Sequence, residues 1–311
     1  GADFGLSVHL GPDGQSRAHT IQWSRHQVQR AVQRIRQAIL EGDGARAGEL
    51  GNELSTALFE GLGDWTGEQT LRLMLHGPMQ DLPIALLQPQ GSSPRLICNT
   101  TLWNACKELG AAPDWTTLSW HFLGAPNSTH FDKLPAARKE LLWLAHQKPG
   151  TTLRTGAGFN RAAMRMAMTS GGALHLATHL VMSETCTDPE LKAHGLLLGR
   201  EQVLCASTIR DWSPSLPLAY LGACASGSGV RVDGEGQLGL ARALQAGGTR
   251  NLIVTLWPVS DRGSAAFGKA FHAAIEQGLP PSQATAQTRE RLREQGLPMR
   301  DWAGFVHLGL D

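Results

Sequence analysis

The sequence predicts an α/β fold built on a mostly parallel central sheet with helices on both faces. Three short apolar runs, Ala173–Ala177, Leu216–Gly222 and Leu252–Trp257, show no clean alternation with polar residues. That is the pattern of strands buried on both faces of a parallel sheet. Each run gives way to loop residues, and helices are predicted after them at Leu238–Gln245, Asp261–Glu276 and Ser282–Glu294. Strand, loop and helix repeating in that order point to a doubly wound sheet.

The earlier elements follow from local chemistry. Leu6–Leu10 and Thr20–Trp23 are predicted to pair around Gly11-Pro12-Asp13-Gly14, a run of turn-forming residues. Arg25–Leu40 places Val28, Ala31, Val32, Ile35, Ala38 and Ile39 at helical spacing, and a second helix is predicted over Arg46–Phe59. Leu71–Leu75 and Ile84–Leu87 precede a short strand at Arg95–Cys98, and Asn99 is placed to cap a helix through Leu109. Beyond the polar loop Gly124–Ser128, Leu134–His146 reads as an amphipathic helix, and so does Asn160–Thr169 with Asn160 as its cap. The same loop marks the expected division into an N-terminal lobe, 1–125, and a C-terminal catalytic lobe, 126–311.

Composition narrows the function classes. Hydrophobic residues make up 41% of the 311 and charged residues 18%, enough for a sizeable core. A net charge of +1, from 28 Lys+Arg against 27 Asp+Glu, offers no electrostatic case for direct binding to nucleic acid or an anionic membrane. The basic residues of Arg25–Arg36 and Arg289–Arg293 read as solvated helix faces. No apolar run approaches the roughly 18 residues of a membrane span. The opening GADFGLSVHLGPDG has no basic region followed by an apolar stretch, so no secretory signal is expected, and without an initiator Met the chain is expected to be processed or part of something longer. Five cysteines, Cys98, Cys106, Cys186, Cys205 and Cys224, form no C-x-x-C pair. Their odd number argues against a disulfide framework and a cysteine zinc site, and for a reducing, cytoplasmic setting.

In an open parallel sheet, functional residues collect just beyond the carboxyl ends of the strands. His179 stands at one such end, after Leu174-His175-Leu176-Ala177-Thr178, and Cys224 at another, after Tyr220-Leu221-Gly222-Ala223. Gly222, Ala223, Ala225, Ser226, Gly227, Ser228 and Gly229 surround the cysteine with small side chains, so a substrate carbonyl can approach the sulfur. Cys98, Cys106 and Cys205 have nothing nearby to activate a thiol and read as buried hydrophobes, and Cys186 lies in a loop without a strand-end motif. His175 and His179 are four apart, but on a strand that spacing spans roughly 13 Å and excludes a shared metal. His175 is therefore expected to be a hydrogen-bonded core residue. Gly234-Glu235-Gly236-Gln237-Leu238-Gly239 matches G-x-G-x-x-G, yet no strand leads directly into it, so it reads as a loop entering the helix at Leu238.

At these residues the sequence resembles the CHAT family of caspase-like cysteine peptidases, related to caspases and separase. The resemblance is carried by LHLATH (Leu174–His179), LGACAS (Leu221–Ser226), GEGQLGLARALQA (Gly234–Ala246), GGTRNLIVTLWPVSD (Gly247–Asp261) and WAGFVHLG (Trp302–Gly309), with LPIALL (Leu82–Leu87) and LPAARKELLWL (Leu134–Leu144) upstream. Together they run in order from about residue 75 to the end. His179 precedes Cys224 by 45 residues, close to the roughly 50 of caspases. The resemblance implies a three-layer sandwich whose N-terminal lobe is pseudo-protease-like, and peptide-bond hydrolysis by a Cys224–His179 dyad without metal or organic cofactor. It also implies an oxyanion site made by the backbone N–H groups of Leu180 and Cys224. Two positions depart from the pattern. Leu180 replaces the family's usual Gly, and Gly222 stands where caspases carry Gln and metacaspases Asp.

Substrate choice is left with two readings. LWPVSD (Leu256–Asp261) resembles the separase segment lining the first specificity pocket, where Asp261 would pair with a basic side chain. Asp261 also suits the start of its own helix, with Ser260, and if it serves only as a cap, Trp257 and Gly222 favour an apolar side chain before the cut. The resemblance implies a protein substrate and a regulatory partner or sensor domain, as in bacterial defence and cell-death systems. A catalytically silent binding module on the same fold and a nucleotide-binding enzyme built on the GEGQLG loop are the alternatives.

Overall fold

Pairing of β1 (Gly5–Leu10) with β2 (Ser16–Ile21) opens the computed structural model, which describes residues 5–10, 16–59, 70–75, 77–87, 95–99, 112–124, 127–188, 194–222, 235–309 and 311. The hairpin forms where it is predicted, with its second strand displaced toward the N-terminus. Helix α1 (Arg25–Glu41) starts with a capping box: Ser24 accepts from Gln27 N–H while the Gln27 side chain accepts from Ser24 N–H. It buries the six apolar residues that its periodicity selects. Asp43 accepts the N–H of Arg46 at the head of α2 (Gly44–Phe59), which packs on α1. The helix predicted from Asn99 to Leu109 lies outside the described residues.

Eight strands form the central sheet: β3 (Thr70–Met74), β4 (Arg95–Asn99), β5 (Trp120–Gly124), β6 (Thr152–Thr155), β7 (Ala173–Ala177), β11 (Ala219–Gly222), β12 (Asn251–Thr255) and β13 (Phe305–Gly309). Their order is β3-β4-β13-β12-β11-β7-β5-β6, and every neighbouring pair is parallel except β12 with β13. All five residues of β5, β7, β12 and β13 are buried. That explains why β7, β11 and β12 read as continuous apolar runs. β5, the last strand of the 1–125 segment, lies between β7 and β6, and β4 pairs with β13, so the sheet is continuous across residue 125.

Helices lie on both faces. One group holds α3 (Pro135–Gln147), α7 (Asp261–Glu276) and α8 (Pro281–Glu294), with α7 touching both of the others. α5 (Ala206–Asp211) packs on α6 (Glu235–Gly247), and α4 (Arg161–Thr169), capped by Asn160 accepting from Ala163 N–H, packs on β7. Because α6 already starts at Glu235, Gly236 and Gly239 lie inside a helix and not in a strand-to-helix turn.

A small antiparallel sheet, β8 (Leu180–Met182), β9 (His194–Leu197) and β10 (Val203–Cys205), follows β7 in the chain, with β9 in its centre. These strands are too short to register as periodic patterns. They also correct the reading of the cysteines: Cys186 and Cys205 form a disulfide, with Cα atoms 5.4 Å apart. The hairpin of β9 and β10 brings the end of β10 back against the loop after β8, which sequence spacing alone does not reveal. Cys186 lies in the loop after β8, as its sequence position suggests, and is buried there. Inferring a reducing compartment from unpaired cysteines therefore loses its premise.

A buried polar cluster is built around β7. His175 of β7, fully buried, places Nδ1 3.0 Å from Nε2 of His272 on α7 and Nε2 3.4 Å from Glu140 Oε1 on α3. Tyr220 of β11 stacks on the His175 ring at 4.4 Å. Burial lowers the His175 pKa to about 3, holds His272 well below the ordinary range, and raises Glu140 well above its own. Both histidines are therefore neutral at pH 7, and burial favours the protonated carboxyl of Glu140. His175 is thus the hydrogen-bonded core histidine that its place in the strand predicts.

Candidate active site

Parallel pairing of β7 with β11 sets Ala177 beside Gly222. His179 lies two residues beyond Ala177 in sequence, and Cys224 two beyond Gly222. Cys224 itself lies outside the described residues.

His179 is 1% exposed. Its Nε2 lies 2.8 Å from the backbone carbonyl oxygen of Asp132, and its ring stacks on Phe131 with centroids 5.4 Å apart. A carbonyl oxygen can only accept, so the neutral ring carries its proton on Nε2, which leaves the lone pair on Nδ1. On the other side, Leu197 N–H donates to His179 O at 3.0 Å, and Thr178 Oγ1 donates to Leu197 O. The histidine is thus held through its ring by the loop before α3 and through its backbone by β9. Neither contact is visible in the sequence, since one acts through a carbonyl that every residue possesses and the other through a strand too short to recognise.

Leu180 opens β8 in ordinary extended backbone. Among the described non-glycine residues, positive φ is confined to Arg200, Glu201 and Ser213. Leu180 faces Leu196, and the bond from Leu197 N–H to His179 O makes this a non-hydrogen-bonded pair. Leu180 N–H therefore points away from β9. The Leu at this position does not need glycine-only angles.

The three predicted substrate contacts fall differently. Gly222 has no room for a side chain: a Cβ would lie 2.4 Å from the Tyr220 ring. Trp257 is buried, with Nε1 donating to Arg300 O at 2.8 Å and its ring packed against Gly304. Both carboxylate oxygens of Asp261 accept backbone N–H groups at the start of α3, from Ala136 at 2.7 Å and Ala137 at 2.9 Å. Ser260 alone caps α7, accepting from Gly263 N–H at 2.9 Å. Asp261 is a cap, then, but of a different helix from the one it begins. Among the described residues no group of three metal-ligating side chains converges, and no helix is long and apolar enough to cross a membrane.

The CHAT domain model matches residues 48–310. The chain belongs to the CHAT domain family. A 114-residue stretch of this CHAT protein is 31% identical to Tetratricopeptide repeat protein 28 of Mus musculus and 30% identical to its Homo sapiens counterpart. That stretch covers 36% of the chain but only 5% of those much longer proteins. Among solved structures, the Arg-specific cysteine proteinase gingipain R superposes with a TM-score of 0.50 at 10% identity, covering 86% of this chain and 68% of that one. The Saccharomyces cerevisiae separase–securin complex gives 0.50 at 13% identity, covering 77% of this chain and 15% of that one. At such identities the likeness concerns the fold. The CHAT protein is a module with the architecture of caspase-like cysteine peptidases.

Proposed function

We propose that this CHAT protein is a cysteine endopeptidase in which Cys224 is the nucleophile and His179 its base. The observation that carries the reading is the Nε2 contact of His179 with Asp132 O, made at a strand end whose parallel neighbour leads, in register, toward Cys224. Nδ1 of His179 takes the thiol proton, and the thiolate attacks the scissile carbonyl. The N–H groups of Leu180 and Cys224 receive the developing oxyanion, an effect worth about 3–4 kcal/mol per donor in a well-formed site. The imidazolium then protonates the leaving amine, and water, deprotonated by the same nitrogen, hydrolyses the thioester. No step calls for a metal or organic cofactor.

With both Asp261 oxygens engaged by α3, the reading that follows is an apolar side chain before the cut. The substrate is a protein, and a regulatory partner or sensor domain releases activity in a bacterial defence or cell-death response. The test is alkylation by iodoacetamide at pH 6 together with cleavage of a peptide library. The wild-type chain is expected to be modified at Cys224, with His179→Ala slowing modification by about a hundredfold or more. Cys224→Ala should abolish cleavage. Equal alkylation with and without His179 would sink the dyad and leave the silent binding module.

A further inference from the structure

The turn joining β9 to β10 breaks the usual turn chemistry. Leu198 N–H donates to Gln202 O at 2.7 Å and closes a tight loop around Gly199, Arg200 and Glu201, of which Arg200 and Glu201 both have φ of 58°. Consecutive left-handed residues at a hairpin call for Asn-Gly or Gly-Gly, because a Cβ is disfavoured there. Strain of this kind persists where the surroundings over-determine it, and it clusters at functional sites. Here the surroundings are specific. Gly199 N–H donates to Phe159 O at 2.7 Å, and Gly199 sits so close to Gly156 that a Cβ would fall 2.2 Å from its oxygen.

The strained backbone aims one side chain at the loop that holds His179. Glu201 Oε1 accepts the N–H of Thr129 at 2.8 Å and its hydroxyl at 3.4 Å, while Oε2 accepts the Ser128 hydroxyl at 3.2 Å and lies 3.5 Å from His130 Nδ1. Ser128 Oγ in turn accepts the N–H of His130 at 3.1 Å and of Phe131 at 3.0 Å. Phe131 stacks on the His179 ring, and the next carbonyl, that of Asp132, receives its Nε2. Loop 128–132 has no regular secondary structure of its own. The Glu201 carboxylate ties its start to the turn that follows β9, the strand whose Leu197 N–H grips the His179 backbone.

We infer that Glu201 is a positioning residue for His179: through Ser128 and Thr129 it fixes the loop whose Phe131 ring and Asp132 carbonyl set the orientation and tautomer of the imidazole. This deepens the Cys–His reading and rests on it for its catalytic meaning. The Thr129 N–H on its oxygen also holds the Glu201 carboxyl below the usual carboxylate range, so it is an acceptor at neutral pH.

The test uses the whole chain with 15N-labelled histidine, the His179 signals being assigned by their loss in His179→Ala. The wild-type ring is expected as the Nε2–H tautomer. In Glu201→Ala its resonances should move toward a mixture of tautomers. Alkylation of Cys224 at pH 6 should slow between about tenfold and a hundredfold, as ångström-scale misplacement of a reacting group does. Glu201→Gln, which keeps an oxygen for Thr129 N–H, should restore most of both readouts, a rescue that a bulk effect on folding would not produce. If Glu201→Ala does not fold, Ser128→Ala carries the same expectation in weaker form. An unchanged His179 tautomer in a folded Glu201→Ala or Ser128→Ala chain overturns the positioning role, as does a wild-type ring protonated on Nδ1. A tautomer shift without any dependence of Cys224 alkylation on His179 upholds the positioning and instead removes the dyad.

Discussion

At position 222 a Cβ would lie 2.4 Å from Tyr220 Cε1 and 3.3 Å from Ser264 Oγ. The Tyr220 ring has little freedom to retreat, because it is fully buried, stacked on His175 and flanked by Phe271 at 5.4 Å. The space a side chain at 222 would need is filled by a tyrosine from two residues earlier in the same strand. Gly222→Ala is therefore expected to destabilise by about 1–3 kcal/mol, the usual cost of overpacking a rigid core. Chemical denaturation reads this directly, and an unshifted midpoint would mean that the ring moves aside easily. The residue scale also marks the limit of what the sequence reveals. His179 and His175 were separable because a strand cannot bring two rings four residues apart onto one metal. The Asp132 carbonyl that holds His179 was not, since a backbone oxygen has no residue signature. The pairing of Cys186 with Cys205 depends on a hairpin that no local pattern announces.

Among the elements, the long helices and fully buried strands were legible and the short connecting pieces were not. β7, β11 and β12 read correctly because burial on both faces removes the polar alternation, and α1 because its buried stripe recurs at helical spacing. β8, β9 and β10 have three or four residues each, and so have too few positions for a period to appear. Asp261 shows the same limit in a functional guise. Its place before a helix makes it a cap or a specificity residue, but the backbone N–H of Ala136 that it caps lies 125 residues earlier in the chain. That contact joins the starts of α3 and α7, and the two Asp261 oxygens neutralise N–H groups that α3, led by Leu134 without a side-chain cap, would otherwise leave open. Asp261→Ala should cost about 1 kcal/mol of stability, as loss of a helix cap does. The side-chain preference before the cut should stay as in wild type in a peptide-library profile. A lost preference for basic residues would return Asp261 to the specificity pocket.

For the molecule as a whole, the cluster of Glu140, His175 and His272 ties one face of the sheet to two helices through groups whose burial disfavours the charged form. His272 lies among Trp120, Phe122 and Phe271, with ring centroids at 4.3, 5.4 and 6.0 Å, and Lys148, Lys269 and Asp261 are the charges that act on the cluster. Folding strips water from both histidines, so the native state holds them uncharged to well below their ordinary value near 6.5. The unfolded chain takes up protons as pH falls through 6.5, and it then binds more protons than the native state. Stability from this source is therefore complete above pH 6.5 and declines as pH drops toward 3. The slope approaches about 1.4 kcal/mol per pH unit for each histidine. Glu140 acts in the opposite sense. The native state keeps its proton above the pH at which the unfolded chain releases it, so its contribution falls as pH rises past 4.5. Replacing His272 with Phe suits the aromatic surroundings and deletes one of the histidine contributions while leaving Glu140 and His175 in place. Urea unfolding between pH 5 and 7.5 should show a lower stability for His272→Phe at neutral pH, because His175 Nδ1 loses its partner. It should also show a loss on acidification shallower than wild type by up to the slope of one proton. Parallel pH profiles for the two chains would mean that the folded protein already accommodates a charged His272, and the cluster would then be a site of proton storage, not a neutral clamp.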